Sequence, residues 1–344
     1  MAESESRLQA GRYISTYPEI AFAVGVARKI AEVVGPVYGI KQNNVPINEI
    51  SHDFNYVLDV KAEEAVGAAF GKAWRKGLAY GYVTEDQGLV LPPPHLKTPE
   101  VMFLIDPVDG SRPANIGAEN ACVNIALVKG NVNDPTMVDI EMGIVFALKE
   151  RLMLIARKGE GVYQVAPSLK GDARLYELNK KREAADHLAD CSITFETYSM
   201  SNELLGIVID PLLSEVSFKT ESPSGSYSAL SLIRGQNELI LDVRRRAMRD
   251  FPHLPVMIKK GGKALTPMDI APEVLMLREL GMIATDAYGR SLDGIRLWHF
   301  NQDNSWSTEN QISLVAAVSP TLHKKAMSRI EEGFANLSQK YPRD

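Results

Sequence analysis

The stretch Leu104-Ile105-Asp106-Pro107-Val108-Asp109-Gly110-Ser111 decides how the chain is read. It closes the continuous apolar run from Val101 to Ile105, which has the composition of a strand buried on both faces. Pro107 has no N–H to give a neighbouring strand, so the strand is expected to stop at Asp106-Pro107. Asp109 follows three residues after Asp106, near enough to share a cation. Gly110 and Ser111 leave N–H groups and a hydroxyl at the expected start of a helix, an arrangement suited to an anion. The spacing by itself equally describes an acidic turn with an aspartate cap. The rest of the chain has to separate these readings.

The chain has 344 residues, 45% of them hydrophobic and 24% charged, as in soluble globular proteins. A chain of this length buries about three quarters of its unfolded surface, and single cores stop growing at roughly 250–300 residues, so two closely packed units are expected. Cys122 and Cys191 are far apart with no C-x-x-C spacing, which excludes a disulfide scaffold and a thiolate zinc site. A net charge of −5 gives no basic field for a nucleic-acid polymer. The polar start MAESESRLQAGRYISTYPEI lacks the apolar core of a signal peptide, and no apolar run is long enough for a membrane span. A soluble cytoplasmic protein is the expectation.

Apolar periodicity predicts helices over Ala21 to Val34 and Phe54 to Trp74. After Gly77 the pattern turns to strands: GYVTEDQG, VMFLI, CVNIALVKG, MGIVFALKE and RLMLIARKGEGVYQV, the last read as one strand signal. Polar residues near 166–190, with a loop at Pro167 to Asp172, suggest a boundary between units 1–165 and 166–344. Beyond it come a strand at SITFETY, a helix, a Ser-Gly turn with a small-residue helix, and a strand around Glu238 to Val243. A helix over Asp269 to Leu280 would hold Pro272 in its first turn, followed by a strand at GMIATD. The strand ISLVAAVSP and the helix LHKKAMSRIEEGF close the chain.

Leu104 to Ser111 resembles the signature Asp-Pro-(Ile/Val/Leu)-Asp-Gly-(Thr/Ser) of the inositol monophosphatase superfamily, which includes fructose bisphosphatases and nucleotide 3′-phosphatases. Thr84-Glu85-Asp86 resembles the family's upstream Ser/Gly-Glu-Glu, and Asp59 to Glu63 its Asp-x-x-Ala-Glu helix. Ser224 to Leu230 is similar to the Gly-Ser-x-x-x-(Ala/Leu) helix beside the substrate, and Met268 to Ala271 to the Trp-Asp-x-Ala motif. Ser313 to His323 resembles the late strand and helix, so the resemblance runs in order over residues about 20 to 330.

The resemblance implies a layered α/β/α/β/α sandwich and a Mg²⁺-dependent phosphomonoesterase acting on a small sugar, inositol or nucleotide phosphate. It implies Glu85, Asp106, Asp109, Asp269 and the Val108 carbonyl as metal ligands. These are all oxygen donors and suit Mg²⁺, whereas six histidines and two cysteines in 344 residues do not suggest a zinc-type site. Asp59 and Ser111 would activate water with Glu85 in the catalytic set, and Gly110, Ser111, Gly225 and Ser226 would line the substrate. Two or three Mg²⁺ ions, competition by lithium, and a homodimer or tetramer are family-level expectations.

Each acid also has a structural role open to it: Glu85 and Asp86 at a strand end, Asp59 on a helix face, Asp269 as a helix cap. The chain departs from the family at Arg112-Pro113, at Met268 in place of Trp, and in a polar basic segment between Asp242 and Asp269. That segment carries Arg244, Arg245, Arg246, Arg249, Lys259, Lys260 and Lys263, read either as a rim for a second phosphate or as a charged surface insertion. These departures bear on specificity more than on the hydrolytic centre, and they leave room for a phosphatase-like ligand sensor or assembly protein. Hydride transfer finds no strand-linked G-x-G-x-x-G.

Overall fold

The computed structural model describes residues 14–40, 48–50, 53–166, 174–178, 186–198, 200–255, 264–302 and 306–342. Helix α1 (Pro18–Val34) starts three residues before the apolar period does, because Pro18 occupies the first helical position. A short hairpin of β1 (Asn48–Ile50) and β2 (Asp53–Asn55) precedes α2 (Val57–Arg75), so this helix starts later than its apolar pattern suggests. Next come β3 (Tyr80–Thr84), β4 (Gly88–Val90), β5 (Val101–Asp109), the single-turn helix α3 (Ser111–Asn115), β6 (Cys122–Lys129) and β7 (Ile140–Ala147).

The segment RLMLIARKGEGVYQV is two strands, β8 (Leu152–Arg157) and β9 (Gly161–Ala166), paired antiparallel about a turn. Gly159 and Gly161 supply the left-handed backbone at that turn, with φ of 77° and 87°. Strand β10 (Arg174–Glu177) pairs with β9, so the first sheet continues past residue 165. Its eight strands run β10-β9-β8-β7-β6-β5-β3-β4. The loop Pro167 to Asp172 lies outside the described residues.

The remainder supplies β11 (Ser192–Phe195), α4 (Asn202–Leu213), β12 (Phe218–Glu221), α5 (Gly225–Ile233), β13 (Leu239–Asp242), α6 (Arg244–Asp250), α7 (Pro267–Glu279), β14 (Ile283–Thr285), β15 (Leu314–Ala317) and α8 (Pro320–Lys340). The second sheet has the order β12-β11-β13-β15-β14. Strand alternation stacks these elements into five layers. Val101, Phe103 and Ile105 of β5 pack with α1 and α2, whereas Met102 and Leu104 face a core shared with α5 and α7. Ile240, Leu314 and Ala316 close that middle core from the second sheet. Leu239, Leu241, Val315 and Ala317 face the outer layer of α4 and α8. The order is therefore α/β/α/β/α. Among the described residues no helix is long and apolar enough to cross a membrane.

Strand β5 does not stop at Asp106-Pro107, contrary to the sequence expectation; it runs to Asp109 through a bulge. Asp106 pairs with Asn124 and Asp109 with Cys122, so Pro107 and Val108 together oppose the single residue Val123. The missing N–H of Pro107 falls where the ladder is already interrupted. The bulge also changes parity. Residues three apart on a regular strand point to opposite faces, but one inserted residue turns both carboxylates toward one pocket.

Helix α7 starts at Pro267, which moves Pro272 from the expected first turn into the helix interior. Pro272 cannot donate to the Met268 carbonyl. The Asn124 amide from the first sheet sits 3.5 Å from that oxygen and donates to the Asp269 carbonyl at 2.8 Å. The same helix lies against Gly143 of β7, where an added Cβ would stand 2.8 Å from Pro272 Cα and 2.9 Å from its carbonyl oxygen. Gly143→Ala should therefore lift α7 from the sheet and cost about 1–3 kcal/mol of stability. A shift in the urea midpoint checks this, and an unchanged midpoint would show that the helix–sheet contact can yield freely.

Candidate active site

The bulge of β5, the start of α2, the turn after β3 and the start of α7 meet at one pocket, lined by Asp59, Glu85, Asp106, Asp109, Ser111 and Asp269 among others. Carboxylate oxygens of Asp106, Asp109 and Asp269 all lie within 4.8 Å of one another, a group able to hold a metal ion. Asp106 and Asp109 are each only 9% exposed. Burial holds the Asp106 carboxyl well above the usual carboxylate range, and the charges of Asp109 and Asp269 push it the same way. Burial also raises Asp109, against the lowering effect of hydrogen bonds from Ser224 and Ser226. These acids repel one another in a poorly solvated place, and a bound cation would reverse that penalty. The donors are oxygens throughout, which fits a hard divalent ion.

Backbone and side-chain bonds fix each acid. Asp106 Oδ1 accepts from the Val108 N–H at 2.9 Å. Asp109 Oδ2 accepts from Ser224 Oγ at 2.6 Å and from the Ser226 N–H at 2.8 Å. Asp269 is the third residue of α7, and its Oδ2 accepts from the Thr266 N–H at 2.5 Å and from Thr266 Oγ1 at 3.1 Å. Asp59 has the same place in α2: Oδ2 accepts from the Tyr56 N–H at 2.8 Å, while Oδ1 accepts from Ser111 Oγ at 2.5 Å. In both helices the acid caps the first turn and still presents its carboxylate to the pocket. Ser111 Oγ also lies 2.9 Å from the Val108 carbonyl.

Glu85, Val108, Gly110, Ser111 and Gly225 all line the pocket, as does Arg112. Gly110 has φ 85°, and a Cβ there would come within 2.3 Å of the Asn120 carbonyl. Ser226, expected against substrate, is fully buried and outside the pocket wall. Its Oγ donates to the Asp269 carbonyl at 2.8 Å and receives the Asn124 amide. It holds two acids in place from behind. Ser224, Asn124 and Thr266 do similar work; the family resemblance sets Ser224 only within a helix beside the substrate, and for Thr266 the reciprocal capping pattern Thr266-x-x-Asp269 is the signal in the sequence.

The basic segment divides among different surroundings. Arg244 lines the pocket but is buried and committed, with Nη2 donating to Glu196 Oε2 at 2.5 Å and to Asp242 Oδ2 at 2.6 Å. Arg246 pairs with Glu331 and donates to the Ala287 carbonyl at 2.7 Å. Buried and engaged in this way, neither fits the open phosphate rim or the charged surface insertion offered as alternatives for this segment. Lys259, Lys260 and Lys263 lie outside the described residues. At the pocket edge, Arg112 stacks over the Tyr198 ring, 4.4 Å from its centroid.

Arg244→Met leaves two buried carboxylates without their cation, so a loss of about 3–5 kcal/mol is expected in denaturant unfolding. A loss within experimental error would mean that Glu196 and Asp242 take up protons or water at no cost. Glu63, one turn beyond Asp59, gives a pH signature. Burial and the Asp86 charge push its carboxyl to about 7, against hydrogen bonds from Thr84 and Gln87. The folded state thus binds this proton more tightly than the unfolded state, and stability should fall as pH rises from about 4.5 to about 7. Glu63→Gln should flatten that part of the stability profile, and an unaltered slope would assign the dependence to other groups.

No protein-family model matches the chain, and no curated protein matches it in sequence. Solved structures do match in shape. The extragenic suppressor protein SuhB of Bartonella henselae superposes with a TM-score of 0.66 at 18% identity, covering 92% of this chain and 100% of its own. The IMPase of Thermotoga maritima gives 0.64 at 15% identity, over 93% of this chain and 100% of that one. A Pyrococcus horikoshii protein with similarities to inositol-1 monophosphatase gives 0.62 at 18% identity, over 92% and 98%. Taken over nearly whole chains, this agreement shows that the protein has the same fold as these inositol monophosphatase-like structures.

Proposed function

We propose that the protein is a Mg²⁺-dependent phosphomonoesterase acting on a small sugar, inositol or nucleotide phosphate. The observation that carries this reading is the Ser111–Asp59 hydrogen bond of 2.5 Å beside three carboxylates grouped within 4.8 Å. The fold it shares with the IMPase of Thermotoga maritima supports the same reading. Asp106, Asp109 and Asp269 would hold the cation, with Glu85 and the Val108 carbonyl completing the oxygen set. When bound, such an ion supplies charge that offsets the phosphoryl oxygens and makes a nearby water more acidic.

The chain's own groups handle the proton. Water attacks phosphorus as the ester P–O bond breaks, and the leaving oxygen departs with the bonding electrons as an alkoxide that takes a proton from solvent water. Ser111 Oγ orients the water, takes its proton and passes its own to Asp59 Oδ1, which already accepts the Ser111 hydrogen bond. The Gly110 and Ser111 N–H groups at the start of α3 would face charge on the phosphoryl oxygens, and Gly225 lines the same pocket. Ser226 acts through Asp109 and Asp269 rather than on substrate.

Phosphate release from a panel of inositol, sugar and nucleotide mono- and bisphosphates, with and without Mg²⁺, tests the assignment. Release should require the cation and be abolished by Asp109→Asn. Ser111→Ala, which keeps the carboxylates, should lower kcat by about 100-fold or more. No cation-dependent release from any member of the panel would sink the reading.

A further inference from the structure

Helix α6 sends its arginines to different places, as a 3.6-residue period requires. Arg244 points to the pocket described above, while Arg245 and Arg249, four residues apart, share another face and line a second cavity of about 340 Å³. Tyr288, Arg296, His299 and Glu309 lie on its other walls. The two cavities have no lining residue in common. Between them runs a backbone bridge in which the Ile312 N–H donates to the Leu265 carbonyl at 2.7 Å, Leu265 facing the first cavity and Ile312 the second.

Neither Arg245 nor Arg249 makes a hydrogen bond or ion pair among the described residues; the one contact is Arg249 over the Tyr288 ring, 5.8 Å from its centroid. Arg245 is half-buried. Burial lowers its proton affinity and the positive charge of Arg249 lowers it further, while Tyr288 and the Glu309 carboxylate act more weakly in the opposite direction. The other charged groups of the cavity are already engaged. Asp286 Oδ1 accepts from the Tyr288 and Arg290 N–H groups at 2.8 Å each. Glu309 meets His299 Nδ1 at 3.0 Å, and Arg296 pairs with Asp134 at 2.9 Å. Ser313 Oγ accepts from the Ala287 N–H at 2.9 Å, which leaves its own hydrogen to give.

We propose that this second cavity binds the phosphoryl group of a small molecule other than the one held at the carboxylate pocket. Two guanidinium groups held by no hydrogen bond or ion pair among the described residues, one of them partly desolvated, offer the paired donors that a phosphate dianion accepts. A volume of about 340 Å³ is enough for a small metabolite. Its separation from the first cavity makes it a site in its own right rather than an extension of the substrate pocket.

Inorganic phosphate is the probe, and equilibrium dialysis of the full-length protein in chelator is the measurement. Without cations the carboxylate pocket repels phosphate, so the binding read is that of the second cavity and does not depend on the proposed phosphatase activity. One phosphate per chain is expected, weakened about tenfold or more by Arg245→Gln with Arg249→Gln. Arg249→Gln alone changes an exposed side chain and should also weaken binding, which covers the case in which the double variant does not fold. Binding unchanged in these variants, or no binding to the unaltered protein, overturns the proposal.

Discussion

The mutual repulsion of Asp106, Asp109 and Asp269 is the constraint around which the molecule is arranged. Three carboxylates within 4.8 Å, two of them nearly buried, cannot stay ionised together unless positive charge or hydrogen-bond donors compensate. The protein compensates from several elements at once. The Val108 N–H faces Asp106, Ser224 and the Ser226 N–H face Asp109, and the Thr266 N–H and hydroxyl face Asp269. These donors come from β5, the start of α5 and the start of α7. The site therefore exists only when the first sheet and the middle helical layer are packed together.

Two local devices make that packing serve chemistry. The bulge at Pro107-Val108 converts two acids of opposite parity into a pair on one face. The third position of a helix gives Asp59 and Asp269 a structural bond through one oxygen without removing the carboxylate from the pocket. Asn124 links these devices, bonding the Asp269 carbonyl from the strand residue that pairs with Asp106. A buried acid cluster of this kind lowers stability when no positive charge compensates it.

The arginine-rich turn illustrates how little a charge run reveals about location. Arg244, Arg245 and Arg246 are consecutive, yet one completes a buried ion-pair group with Glu196 and Asp242, one opens onto the second cavity, and one joins α8 through Glu331. Each step along the helix rotates the side chain by about 100°. What each meets depends on elements distant in sequence.

Much of the fold was legible because local chemistry repeats a simple rule. Strands buried on both faces read as continuous apolar runs and helices as 3.6-residue periods. Glu85, Asp59 and Asp269 were marked by the resemblance of their segments to inositol monophosphatase motifs, whereas Asp106, Asp109 and Gly110 could be picked out from the junction they form after an apolar run. The continuation of β5 past Pro107 could not, because a bulge is defined by the residue across the ladder. The same holds for the Pro272 position, where an amide from the first sheet lies beside the carbonyl that the proline cannot reach, and for Ser226, whose place behind the carboxylates follows from how α5 docks. Sequence by itself determined which residue types and local conformations were available. Tertiary structure decided which of them share a low-dielectric space, since electrostatic and hydrogen-bond energies depend on distance through space and not along the chain.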